Sequence, residues 1–366
     1  MLETKRPMVI FGTRPEAIKL CPLIRELKER GLGCYVCVTG QHRELLDEVL
    51  RLFDITPDED LNIMRQGQSL FDITCSVLSG LQIVLLREKP DLVLVHGDTT
   101  TAFAAALACF YCKIPVAHVE AGLRTYDLSS PYPEEWNRRA ASLLSVHHFA
   151  PTERAKDNLL REGVPAARII VTGNTGIDAL RYTIQAEYSH PDLDWAKGSR
   201  LILLTAHRRE NRGSAMRTMF RAIRRILIDY PDVKILYPVH PDPTVKQLAK
   251  EELENHERIR LIEPLSVLDF HNFLAHCFLV LTDSGGLQEE APALNKPVLV
   301  MRHTTERPEG VEAGCLRLVG TSEGSVYRGV RELLENEALY AVMAQAPNPY
   351  GDGFAARNIA DYLERI

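Results

Sequence analysis

Short β-rich runs alternate with longer helical stretches along nearly the whole chain, and this alternation restricts the fold more than any other feature. Pro7–Phe11, Cys34–Val38, Asp91–Val95 and Val116–Val119 read as strands, and residues 16–30 and 101–112 read as helices. Such a succession builds βαβ units, which place parallel strands in one sheet with helices on its faces. Near residue 175 the pattern restarts. Arg200–Thr205, Lys234–Val239, Phe278–Thr282 and Pro297–Met301 are further strands, with a helix over 216–228. Tyr182–Ser199 is the most linker-like stretch, and Asn348–Gly353 is a second break before a short closing helix. The chain has 366 residues and 45% hydrophobic content, enough for two full cores. The expectation is two Rossmann-like parallel-sheet α/β domains facing across a cleft, with residues 1–177 and 178–354 as the two domains and 355–366 rejoining the first. Ligands of open α/β sheets bind beyond the C-terminal strand ends, so polar residues just after the strands carry the most weight.

The formal net charge of −6 argues against a nucleic-acid binder, which carries a basic face. A local arginine cluster still suits an anionic ligand. Met1–Arg6 is polar and the apolar run after it is too short for a signal or membrane helix. The expectations are therefore no membrane and a cytoplasmic address. Eight cysteines include two CxxC spacings, Cys34/Cys37 and Cys109/Cys112. In a strand, residues three apart face opposite sides, so the first pair does not grip one ion. Buried reduced thiols are expected, and no metal.

The strand ending at Thr282 runs into Asp283-Ser284-Gly285-Gly286, with Glu290 a turn later. Glycines at a strand-to-helix turn let backbone N–H groups approach a diphosphate, and Glu290 suits ribose hydroxyls. A plain tight turn competes with that reading. The first strand ends in Gly12-Thr13-Arg14-Pro15-Glu16, with Lys19 a turn on; Arg14 and Lys19 suit the same phosphates or form a surface pair. This is not GxGxxG, so nicotinamide and flavin lose their sequence support. Asp98 and Glu120 follow consecutive strands, and Glu134 and Glu135 follow Pro133. Two carboxylates in a partly dry site push one pKa upward, giving a proton acceptor and a donor. The competing roles are an N-cap for Asp98 and a first helical turn for Glu134 and Glu135. His207-Arg208-Arg209 follows the first strand of the second half, and Arg307 follows the strand 297–301. His207 suits phosphate donation or acid catalysis, or a structural role. These residues describe a nucleotide-diphosphate site with carboxylates and leave the reaction open.

Phe11-Gly-Thr-Arg-Pro-Glu-Ala-Ile-Lys19, His96-Gly-Asp-Thr-Thr100, His118-Val-Glu-Ala-Gly-Leu-Arg-Thr125, Pro133-Glu-Glu, Asn137-Arg138, His207-Arg-Arg-Glu210, Asp283-Ser-Gly-Gly and Thr305-Glu-Arg-Pro308 run in order over nearly the whole chain. Together they closely resemble the bacterial non-hydrolysing UDP-N-acetylglucosamine 2-epimerases. The resemblance implies a GT-B-like fold, no cofactor and a homodimer. It implies a reversible C2 epimerisation to UDP-N-acetylmannosamine, through loss of UDP to 2-acetamidoglucal and re-addition. It assigns acid/base roles to Asp98, Glu120 and Glu134, and makes His207 the aid to the departing diphosphate. Arg14, Lys19, Ser284, Gly285, Gly286, Glu290 and Arg307 would hold UDP. A second, activating UDP-N-acetylglucosamine would lie at Gln41, His42, Arg43, Gln68 and His240, and the pathway would serve surface polysaccharides. The alternatives are a hydrolysing 2-epimerase, a GT-B glycosyltransferase and a UDP-sugar sensor, the last expected to lack the three carboxylates.

Overall fold

The computed structural model describes residues 6–40, 43–63, 65 and 67–366, with the backbone alone over 43–45. The chain divides into two compact units, one running through Tyr182 and taking in Tyr350–Ile366, the other Thr183–Pro349. The first is built on strands β1 (Pro7–Phe11), β2 (Tyr35–Val38), β3 (Glu59–Asp60), β4 (Leu92–His96), β5 (Val116–Val119), β6 (His147–Ala150) and β7 (Ile169–Val171). They pair in the order β3-β2-β1-β4-β5-β6-β7, every pair parallel. The second holds β8 (Arg200–Thr205), β9 (Val233–Pro238), β10 (Ile259–Ile262), β11 (Leu279–Thr282), β12 (Val298–Val300) and β13 (Leu316–Leu318), in the parallel order β10-β9-β8-β11-β12-β13. The expected pair of parallel-sheet α/β domains is present.

Central strands covered by helices on both faces should be apolar throughout rather than alternating. All five residues of β1 and of β4 are buried. On one face Met8, Ile10, Val93 and Val95 pack with Val77, Leu81 and Ala105 from helices Leu70–Glu88 and Thr100–Cys112. Helix Leu70–Glu88 is long and apolar enough to cross a membrane by length and composition. Ile73, Val77, Leu81, Val84 and Leu85 are nevertheless buried in this core, and Ser69 caps the helix start. In the second unit Ile202, Leu204, Ile235 and Leu281 pack against Phe220, Ile223 and Val330.

Helix Arg14–Glu29 begins two residues before the expected start at Glu16. Thr13 caps it in a reciprocal capping box with Glu16, and Pro15 sits in the first turn, where its missing N–H costs nothing. The division between the units falls at Tyr182/Thr183, at the start of the linker-like stretch, but the rest of that stretch is structured. Residues 191–196 form a helix burying Leu193 and Ala196, and Tyr188 packs edge-on to Phe273. Apolar burial outweighs the polar composition there. The closing helix Ala355–Leu363 belongs to the first unit. Asp178 accepts hydrogen bonds from the N–H groups of Ala355 and Ala356 at 3.1 and 2.8 Å, and Arg30 pairs with Asp361 at 2.6 Å.

Candidate active site

Each sheet reverses its winding between two neighbouring strands, β1/β4 in the first unit and β8/β11 in the second. In doubly wound sheets the ligand binds outside the strand ends at that reversal. In the first unit the ends there carry Gly12–Glu16 after β1, Gly97-Asp98 after β4 and Glu120 after β5. Gly12 is required by space, since a β-carbon would lie 2.0 Å from Thr39 Oγ1. Glu16 is buried; it takes the N–H of Gly12 at 3.0 Å and the hydroxyl of Thr99 at 2.7 Å, which ties the β1 and β4 ends together. Burial pushes its carboxyl pKa up.

Glu120 adopts the left-handed conformation at φ 63°, uncommon for a residue with a β-carbon and concentrated at functional sites. Its Oε2 meets Lys19 Nζ, accepts from Asn174 Nδ2 at 3.2 Å and lies 3.3 Å from His96 Nε2. Burial alone would raise this carboxyl. Lys19 and His96 reverse the effect and hold it well below the usual carboxylate range. The expectation of a carboxylate pair raising one member therefore fails at Glu120, whose nearest charge is a cation. Lys19, expected at a diphosphate, faces Glu120.

Asp98 is not the helix cap. Thr99 caps helix Thr100–Cys112 by accepting from Ala102 N–H, so the Asp98 carboxylate is left to pair with Arg138. Asn137 also donates to the Asp98 carbonyl at 3.0 Å. Both partners belong to helix Glu134–Leu144, which thereby sets Glu134 beside the β4 end. Glu135 is buried and accepts from the N–H groups of Thr125 and Tyr126, a structural role. Glu134 differs, because its Oε2 is buried without a hydrogen-bond partner among the described residues. Buried polar atoms are satisfied almost everywhere, so an orphan oxygen points to a ligand.

In the second unit the buried Asp283, at the end of β11, organises the loop after β8. It accepts from the N–H groups of His207 and Arg208, at 3.0 Å for each, and from Asn211 Nδ2 at 3.0 Å. His207 Nδ1 lies 3.3 Å from Asp283, and its ring stacks on His240 with centroids 5.4 Å apart. Burial, with His240, Arg208 and Arg212, holds the His207 pKa down against Asp283. The Ser284-Gly285-Gly286 turn leads into helix Leu287–Ala293. A β-carbon on Gly285 would lie 3.4 Å from Arg307 Nη1 and 3.5 Å from Arg208 Nη2. Two guanidinium groups thus flank a bare backbone segment, a seat suited to a phosphate. Arg307 is steadied by Glu289 at 2.9 Å, and Glu290 lies 3.7 Å from His271.

Arg14 opens the helix after β1. Of the residues expected at a second ligand, Gln41 and His42 lie outside the described residues, and Arg43 begins helix Arg43–Leu52. Gln68 bonds the backbone of Ile63 and Arg65, each at 2.8 Å. His96, Arg138 and Arg208 stood inside noted motifs without an assigned role. Asn174 was missed altogether. Its signal is a polar residue in the Gly173-Asn174-Thr175-Gly176 segment, three positions after a strand, but β7 is only three residues long and reads poorly.

A family model described as UDP-N-acetylglucosamine 2-epimerase matches residues 25–364. The UDP-N-acetylglucosamine 2-epimerase of Bacillus subtilis is 56% identical over 357 residues, 97% of this chain and 94% of that protein. An S. aureus structure, described as an MnaA–UDP co-structure, superposes with a TM-score of 0.92 at 50% identity, covering 99% of this chain and 98% of that one. The Neisseria meningitidis UDP-GlcNAc 2-epimerase bound to UDP-GlcNAc gives 0.91 at 47% identity, covering 99% and 100%. The chain belongs to the UDP-N-acetylglucosamine 2-epimerase family.

Proposed function

We propose that the chain interconverts UDP-N-acetylglucosamine and UDP-N-acetylmannosamine by inverting C2, without hydrolysis and without an added cofactor. The observation that carries this reading is the set of carboxylates in the first unit: Asp98 and the ionised Glu120 after the neighbouring strands β4 and β5, and Glu134, opening the helix that holds Asp98, with an oxygen unpartnered among the described residues. The C2 proton has no adjacent carbonyl to acidify it, so its removal is coupled to departure of UDP from C1, giving 2-acetamidoglucal. Arg208, Arg307 and the Gly285 backbone suit the charge that develops on the departing diphosphate. His207, neutral near pH 7, serves as a hydrogen-bond donor to it. Inversion needs a carboxyl on each face of the sugar, one taking and one returning the proton. Relatives described with UDP and with UDP-GlcNAc support the ligand class.

The same reading includes a homodimer. Phe71, Ile83 and Leu86 on helix Leu70–Glu88, Phe110 and Tyr111 on helix Thr100–Cys112, and Leu143 on helix Glu134–Leu144 are exposed apolar side chains that support self-association. Activation by a second UDP-N-acetylglucosamine belongs to it as well, with His240 in contact with His207.

The test is incubation with UDP-N-acetylglucosamine in D2O, without metal or nicotinamide, followed by proton NMR. A mixture of both UDP-sugars with deuterium at C2 is expected. Free N-acetylmannosamine with UDP would make the enzyme hydrolysing, and binding with C2 still protonated would end the epimerase reading.

A further inference from the structure

The ligation of Glu120 is one-sided. Lys19 Nζ and Asn174 Nδ2 both donate to Oε2, and His96 Nε2 lies 3.3 Å from the same oxygen. Oε1 lies toward Gly97, where a β-carbon would stand 3.8 Å away. We propose that Asn174 is a positioning residue which, with Lys19, pins Oε2 of Glu120 and presents Oε1 as the proton-exchanging atom; this rests on the 2-epimerase reading above.

The Asn174 amide has its orientation fixed from within the fold. The residue is 2% exposed. Its Oδ1 accepts the Gly176 N–H at 2.8 Å, which leaves Nδ2 as the atom turned to Glu120. Its own N–H donates to the Tyr350 carbonyl at 2.7 Å, so the backbone is held independently of the side chain. Gly176 makes room for the arrangement: a β-carbon there would lie 3.2 Å from Asn174 Oδ1 and 3.4 Å from Lys19 Cε. The two residues that converge on Glu120 therefore pass over the same bare glycine. An amide N–H only donates, and donation to a carboxylate favours its ionised form. The groups facing Glu120 are Lys19 from helix Arg14–Glu29, His96 at the end of β4 and Asn174 after β7.

Asn174→Asp isolates the side-chain donor. The acceptor for Gly176 N–H and the backbone bond to Tyr350 both survive, while Nδ2 becomes a carboxylate oxygen against Oε2. Loss of a hydrogen bond to a charged group, with a like charge in its place, should cut kcat by about 10-fold or more. The KM for UDP-N-acetylglucosamine should stay within about threefold. The acid limb of the kcat–pH profile should move upward by about one unit, because like charges at this range raise one carboxyl. Asn174→Ala should lower kcat at unchanged KM with a smaller displacement of the limb. C2 deuterium exchange in D2O is the readout, and thermal melts run beside it. A merely structural Asn174 would lower the melting temperature and leave the acid limb in place, which overturns the proposal. So does wild-type kcat in Asn174→Asp. If that variant does not fold, wild-type kcat in Asn174→Ala overturns it equally. Absence of C2 exchange in the unaltered enzyme would instead fail the epimerase reading itself.

Discussion

Gly285→Ala probes the anion seat with little disturbance of the fold. Gly285 does not lie in the left-handed region, so its backbone accepts an alanine. The new methyl carbon would meet Arg307 Nη1 at 3.4 Å and Arg208 Nη2 at 3.5 Å, at the edge of ordinary contact. No backbone atom is among those neighbours, and the ends of two long side chains can give way. The methyl stands, however, where a phosphate oxygen would approach both guanidiniums. Displacing that oxygen weakens two charge-assisted hydrogen bonds, each worth about 1.5–3 kcal/mol. A loss of about 3 kcal/mol corresponds to roughly 100-fold weaker binding. Calorimetric titration with UDP is the assay, with a thermal melt to show that the variant is folded. A folded variant that binds UDP within about threefold of the parent refutes the assignment of the diphosphate to Gly285.

Lys19→Met should lower kcat by about 10-fold or more by leaving the half-buried Glu120 without its cation, while UDP affinity by titration hardly changes; weakened UDP binding at full kcat would return Lys19 to the diphosphate. Burial lifts the Asp178 carboxyl from 3.8 to about 6. A folded-state pKa above the unfolded one gives a contribution to stability that is complete below the unfolded value and lost as pH rises through the folded one. Relative to Asp178→Asn, the wild type should therefore lose roughly 3 kcal/mol of unfolding free energy between about pH 4 and pH 7 in urea melts; a flat difference refutes the shift. Gly122→Ala should cost about 3 kcal/mol or more of stability by the same melts, since Gly122 has φ 93° and a β-carbon would lie 2.2 Å from the Ala155 carbonyl oxygen; an unperturbed melt would show that this backbone readily relaxes.

The sequence by itself determined the architecture and the cast of the site. Continuous apolar runs of four or five residues are compatible with strands covered on both faces, and the helical stretches between them dictate parallel pairing. Polar residues directly after those runs had to emerge at the C-terminal strand ends, which is why Asp98, Glu120, His207 and Ser284–Gly286 were legible. Strand β7 and helix 191–196 were not, because three apolar residues or a polar helical turn give too little periodicity. Tertiary structure alone decided which side chain answers which. Lys19 and Glu120 are 101 positions apart, and only the neighbouring of β1, β4 and β5 brings that ammonium to that carboxylate. Thr99 rather than Asp98 caps its helix, which releases Asp98 for Arg138. Sequence spacing fixes where each strand end lies along the chain. The charge state of Glu120 depends instead on which groups share its buried volume, and that is settled by packing.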